Sequence, residues 1–318
     1  MKLRRDILLF ATLALVALAG GAFLLLNGPA ARIDHFLQHA KVRATAARQN
    51  PANAEAFRAT VCADSSCVLV EAGGLSFLIG AGEGAAEGLA SQGLMRANLD
   101  AVVLPDMTLE SIAGLPGVAR ASLAAGRREP LKIYGPSGVV PVIDGANLLL
   151  SGEPGVRLAV GADKEDQGLE GLVVFDSGVV KIRAFDGSGS SGSRVYRVDF
   201  ENKSLVIAGC RALGAQIVSA SRGTRSAAGV LAASSPKLEG REGCIPLSDT
   251  LEAARQAKLQ AVLLSSLRPS AAIPDALEAW RAVIAGEKAD GVVAGEPGSV
   301  IDLSAERPSI STAGQTNR

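Results

Sequence analysis

The sequence predicts an α/β (α+β) body made of two β-sheets with helices on the outside. Two observations predict it. Short runs rich in valine, leucine and isoleucine recur between residues 57 and 208, and neighbouring runs are close enough in the chain to pair. Apolar-periodic stretches of helical length interrupt them, and locally pairing strands broken by helices pack as sheet on sheet with helices outside. The body, about residues 55–303, suits one domain, since large mixed domains reach about 250 residues.

The chain begins outside that body. Ile7–Leu26 carries no charge, and at ~1.5 Å per residue it spans about 30 Å, enough for a bilayer core. Lys2, Arg4 and Arg5 precede it, which places the N-terminus in the cytoplasm. The expected order is a basic stub (1–6), a transmembrane helix (7–26), a juxtamembrane helix and linker (27–54), the body (55–303) and a flexible polar tail (304–318). In a bacterium this is a single-pass inner-membrane protein with a periplasmic body. A cleaved signal peptide ending near Ala19–Ala22 is the alternative, although Phe23–Leu26 prolongs the apolar run beyond the usual core of about 7–15 residues. Either reading exports the body to a compartment where disulfides form. Ala31–Gln49 reads as a helix with Ile33, Phe36, Leu37, Ala40 and Ala44 on one face. His35 and His39 on the other could share a metal, but a solvated polar face explains them better.

Within the body, Phe57–Val61 and Val68–Glu71 read as a hairpin around Cys62–Cys67. Ser76–Ile79 ends at the glycine-rich turn Gly80-Ala81-Gly82-Glu83-Gly84, and a helix follows to about Gln92. Further strands are expected near 101–104, 131–134, 156–160, 171–175, 179–185, 194–200 and 204–208. Helices fit 118–125, 138–149, 248–257 and 274–285. Aromatics make up only 3% of the chain, so the core is expected to be Val, Leu, Ile and Ala. The formal net charge is +0, without a basic patch, which argues against nucleic acid as a partner.

One segment carries the strongest motif. Ala101–Leu104 is a buried strand entering Asp106-Met-Thr-Leu-Glu-Ser-Ile-Ala-Gly-Leu-Pro-Gly117. Ala125–Leu131 and Ile133-Tyr134-Gly135-Pro136-Ser137-Gly138 follow. Together these resemble the ribonuclease Z-like branch of the metallo-β-lactamase-fold hydrolases. The resemblance covers most of residues 57–303 and implies a four-layer αβ/βα sandwich. It also implies a zinc centre held by a His-x-His-x-Asp-His turn. Here those four positions hold Asp106, Thr108, Glu110 and Ser111. Gly80 stands for the acid of the glycine-rich turn, and Gly187 for the histidine expected before Tyr196. Cys210 stands for the bridging aspartate, and Ser266 for the last histidine. The ending, from Trp280 to Asp302-Leu303, resembles the family's closing helix and hairpin.

The only histidines are His35 and His39, so no histidine-rich zinc or iron centre can be built in the body. The expectation is therefore a non-catalytic relative. It has lost the family's zinc, has no resident cofactor or metal and no catalytic residue, and serves as a binding or scaffold module of the envelope. Its partner would be an envelope protein or a small-molecule ligand. The alternative is a hydrolase with weak or altered metal-dependent activity, using an oxygen-ligand site of Asp106, Glu110 and Asp186 for Mg²⁺ or Ca²⁺. Asp106 also reads as the N-cap of a short helix stopped at Gly114. Ser265 or Ser266 as a nucleophile lacks a base, as do Cys210 and Cys244. Four cysteines allow three pairings. The hairpin favours Cys62–Cys67, and the resemblance places Cys210 and Cys244 on one rim. Four free buried thiols are the alternative.

Overall fold

The computed structural model describes residues 54–62, 67–96, 98–161, 171–187, 192–233, 244–265, 273–287 and 289–312. The expected membrane segment, the juxtamembrane helix with His35 and His39, and Ser266 lie outside the described residues. Among the described residues no helix is long and apolar enough to cross a membrane.

In chain order the strands are β1 (Phe57–Val61), β2 (Val68–Ala72), β3 (Leu75–Ile79), β4 (Leu99–Val103), β5 (Leu131–Tyr134), β6 (Leu158–Val160), β7 (Leu172–Asp176) and β8 (Val180–Asp186). Then come β9 (Arg194–Phe200), β10 (Lys203–Ala208), β11 (Ser226–Ala232), β12 (Val262–Ser265), β13 (Val292–Ala294), β14 (Val300–Asp302) and β15 (Ser309–Ser311). The helices are α1 (Ala85–Ser91), α2 (Leu109–Ile112), α3 (Leu115–Ala124), α4 (Val139–Leu149), α5 (Gly214–Ser221), α6 (Leu247–Gln256) and α7 (Ile273–Gly286).

The strands form two sheets, β15-β14-β1-β2-β3-β4-β5-β6 and β13-β12-β11-β10-β9-β8-β7. Each is part antiparallel and part parallel: β3 to β6 run parallel in the first, and β10 to β13 in the second. Side chains alternate between faces, as strand geometry requires. Ala101 and Val103 of β4 enter the core between the sheets, while Val102 faces α1, α3 and α4. In β10, Leu205 and Ile207 point to the inter-sheet core, and Val206 and Ala208 face the cluster that holds α5, α6 and Trp280 of α7. The layers are helix, sheet, sheet, helix.

Three expectations need correction. The inter-sheet core is not wholly aliphatic: Phe57, Phe77, Tyr134, Tyr196 and Phe200 are buried in it. Phe57 meets Phe200 edge-on at 5.9 Å across the two sheets, since facing sheets stand ~10 Å apart and large rings fill that gap. Of the tail expected from Ser304 onward, the described part is in the fold, because Ser309–Ser311 pairs antiparallel with β14. The run Ser226–Ala232 was not expected as a strand, being rich in alanine and glycine. It becomes one because it lies between β10 and β12 and satisfies both ladders, a case of context overriding propensity.

The glycine-rich turn after β3 is joined to α2. Gly80 N–H donates to the Val103 carbonyl at 2.8 Å, Ala81 N–H to that of Ser111 at 2.8 Å, and Gly114 N–H to that of Ala81 at 2.7 Å. A Cβ on Gly114 would fall on the Gly82 carbonyl oxygen, and backbone on both sides leaves nothing to move aside. Gly114→Ala is therefore expected to cost roughly 3 kcal/mol, at the upper end of overpacking losses. Chemical denaturation measures it, and an unchanged midpoint would contradict this packing.

Candidate functional site

Strand ends of both sheets meet at one rim. The first sheet contributes the segment after β4 and Gly135 after β5. The second contributes the end of β8, the start of β9 and the segment after β10. Hydrogen bonds join the sheets here: Arg194 N–H donates to the Pro105 carbonyl at 2.8 Å, and the Tyr196 hydroxyl to the Leu104 carbonyl at 2.8 Å.

Asp106 is buried at the rim. Its Oδ1 accepts from Thr108 N–H at 3.0 Å and Thr108 Oγ1 at 2.6 Å. Its Oδ2 stands 3.7 Å from where a Cβ on Gly209 would be, so the carboxylate faces the Gly209–Cys210 turn. The N-cap of α2 is Thr108, not Asp106 as expected. Asp106 lies two residues too early and binds the capping residue itself. Gly114 likewise does more than end α2, because α3 begins at Leu115 directly after it. Ser111 is buried in α2, with its backbone tied to Ala81 and Thr108. Glu110 is half-buried in the same turn.

The rim also holds a residue the sequence reading passed over. Arg194 is buried, and its guanidinium donates from Nε to Asp186 Oδ1 at 2.6 Å and from Nη1 to the Gly135 carbonyl at 2.7 Å. Asp186 and Arg194 are direct partners in the β8–β9 register. That placement offered a signal, since opposite charges flanking a predicted hairpin face each other across the strands. Gly187 sits at the turn, its N–H donating to the Ser193 carbonyl at 3.2 Å. Ser193 Oγ donates to the Arg211 carbonyl at 2.9 Å, and buried Gln216 donates to the carbonyls of Phe185 and Ser193. Gly187, Asp186, Arg194, Asp106 and the turn before Cys210 are thus neighbours on one rim.

Cys210 is bonded to Cys244, with Cα atoms 4.5 Å apart, and Ile245 N–H donates to the Cys210 carbonyl at 2.9 Å. Cys62 is bonded to Cys67, Cα atoms 5.3 Å apart, at the β1–β2 hairpin. No described cysteine is free, so Cys210 and Cys244 offer no thiolate. At the end of β12, Ser265 is buried and its Oγ has no hydrogen-bond partner among the described residues.

These donors do not suit the metal that the fold family implies. Thr108 occupies Asp106 Oδ1, Arg194 holds Asp186, Cys210 is a cystine and Gly187 has no side chain. A divalent ion among them would face a fixed guanidinium cation. Among the described residues no three of His, Cys, Asp and Glu come together as a ligand group. Asp106, Glu110 and Asp186 are not brought together as such a group.

Comparison with known proteins fits this geometry. No protein-family model matches the chain. Ribonuclease Z of Clostridium tetani is 28% identical over 142 residues, 43% of this chain and 46% of that protein. Ribonuclease Z of Mycobacterium marinum is 30% identical over 152 residues, 44% of this chain and 54% of its own length. The chain thus spans about half the length of the curated relatives it matches. Among solved structures, the metallo-β-lactamase-fold protein YhfI from Bacillus subtilis aligns with a TM-score of 0.57 at 17% identity, covering 77% of this chain and 98% of that one. Human tRNase Z, short form, aligns with a TM-score of 0.54 at 17% identity, covering 66% and 92%. The two packed sheets with helices outside are therefore the metallo-β-lactamase fold. In sequence the chain is similar to ribonuclease Z over less than half of its own length.

The two cystines close loops of very different length, with sequence separations of 5 and 34. Chain entropy gives roughly 2 kcal/mol for the short loop and roughly 4 kcal/mol for the long one. Cys210→Ala with Cys244→Ala is therefore expected to lower unfolding free energy about twice as much as the Cys62/Cys67 pair of substitutions. Equal losses in equilibrium denaturation would contradict that ordering.

Proposed function

We propose that the chain is a non-catalytic binding or scaffold module of the bacterial cell envelope, tethered to the inner membrane by residues 7–26 with its body in the periplasm. The observation that carries this reading is the rim itself. A buried arginine and a cystine stand among the positions where the resemblance expects ligands. Two cystines also suit an oxidising compartment, and the uncharged N-terminal run with its basic flank suits a membrane anchor. The ribonuclease activity named for the relatives is not carried over to this chain, whose net charge of +0 offers little electrostatic attraction for RNA.

The test uses full-length protein expressed with its own N-terminus and purified without chelator. Elemental analysis is expected to find transition metal far below one equivalent. Added zinc or manganese is expected to give no turnover of a simple phosphodiester. The chain is expected to stay with the membrane after high-salt and alkaline washing. Near-stoichiometric metal with phosphodiester turnover would instead establish the hydrolase alternative. A shortened soluble form beginning near Phe23 would replace the anchor with a cleaved signal peptide.

A further inference from the structure

A second concave site lies at the opposite edge of the first sheet, where β4 and β5 begin. It is an open depression of about 790 Å³, lined by Asp100, Arg127, Arg128, Glu129 and Lys132 with Asn98. That volume falls within the range of small-molecule sites, about 300–1,000 Å³. The rim around Asp106 is at the other end of β4, so this cavity is separate from it.

Its charges are arranged unusually. Arg127, Arg128 and Lys132 form no ion pair among the described residues, whereas Arg58, Arg194 and Arg255 are all paired with carboxylates. Arg127 is held in place by a bond from its Nε to Ser122 Oγ at 2.8 Å, which leaves Nη2 buried with no partner among the described residues. A buried donor atom left unfilled on this half-buried side chain costs free energy unless something accepts from it. Asp100 faces the same space. Its Oδ2 accepts from Ser76 N–H at 2.8 Å. Burial pushes its carboxyl up to about 6, against the Ser76 bond and the charges of Arg127 and Lys132. Burial likewise lowers the Arg127 guanidinium from its ordinary value, with Asp100 opposing.

We propose that this cavity binds a small organic anion, a carboxylate or a phosphate ester, whose oxygens accept from Arg127 and Lys132. Arg127 supplies the fixed, partly desolvated donor suited to an oxyanion. Lys132 and Arg128 add positive charge at the mouth. Asp100 sets the pH dependence. It faces Ser76 from β3, Lys132 from β5 and Arg127 from the turn after α3. Its raised carboxyl keeps a proton up to about pH 6, so anion binding strengthens as pH falls through that value and weakens above it.

Calorimetric titration of the full-length chain in detergent tests this, with inorganic sulfate and succinate as probes. Sulfate stays dianionic across the pH range used. Saturable binding is expected, and Arg127→Gln should weaken it about tenfold, the effect of losing a charge-assisted bond. Lys132→Gln, at an exposed position, should weaken it to a smaller extent, and Asp100→Asn should remove the pH dependence. Arg120→Gln, at an exposed arginine outside the cavity, should change nothing. Tighter succinate binding would assign a carboxylate ligand, and tighter sulfate binding a phosphate ester. Absence of saturation, or equal loss in Lys132→Gln and Arg120→Gln, would overturn the proposal.

Discussion

The guanidinium of Arg194 is the interaction on which the rim depends. It enters from β9 of the second sheet, is neutralised by Asp186 of β8, and reaches the Gly135 carbonyl of the first sheet. The backbone of the same residue donates to Pro105 beside Asp106. One residue thus pins three strand ends. A buried charge is tolerated only when it is paired and its donors are filled, and here the partners come from both sheets. Asp186 is more than half exposed, so the pair keeps some solvation and does not carry the full cost of a sealed ion pair.

The cystine adds a second tie on the same rim. Cys210 follows β10 and Cys244 precedes α6, and the bond closes a separation of 34 residues. In the resemblance a metal ion joins such distant segments. In this chain a cation that belongs to the protein and a covalent bond join them. Both need only the folded chain and an oxidising environment.

Much of the fold was legible because period and punctuation agree. Val139–Leu149 sits between Gly138 and the turn at Ser151, and the hairpin of β1 and β2 is framed by its cysteines. The expected bounds of these elements differ from the structure by a residue or two. Other elements were illegible for physical reasons. Ser226–Ala232 has weak intrinsic strand preference and is a strand through its two neighbours. Ser309–Ser311 is polar, and only β14 makes it a strand. At the rim, Asp106, Gly187 and the turn at Cys210 could be read from their place in the motif. For Arg194 only the pairing with Asp186 was legible; its bond to Gly135, a carbonyl 59 residues away in the chain, was not. The Asp100 cavity was also hidden. It joins the starts of β4 and β5, and although Ala125–Leu131 belongs to the motif, nothing in the motif brings Asp100 beside it.

The claim that the rim holds an arginine where a metal would need donors is open to one direct measurement. Crystals equilibrated with millimolar zinc near neutral pH can be examined by anomalous diffraction on both sides of the zinc absorption edge. The account predicts no zinc peak among Asp106, Ser111 and Asp186, with Arg194 still bonded to Asp186 and Gly135. A strong peak ligated by Asp106, with the guanidinium swung away from Asp186, would contradict it.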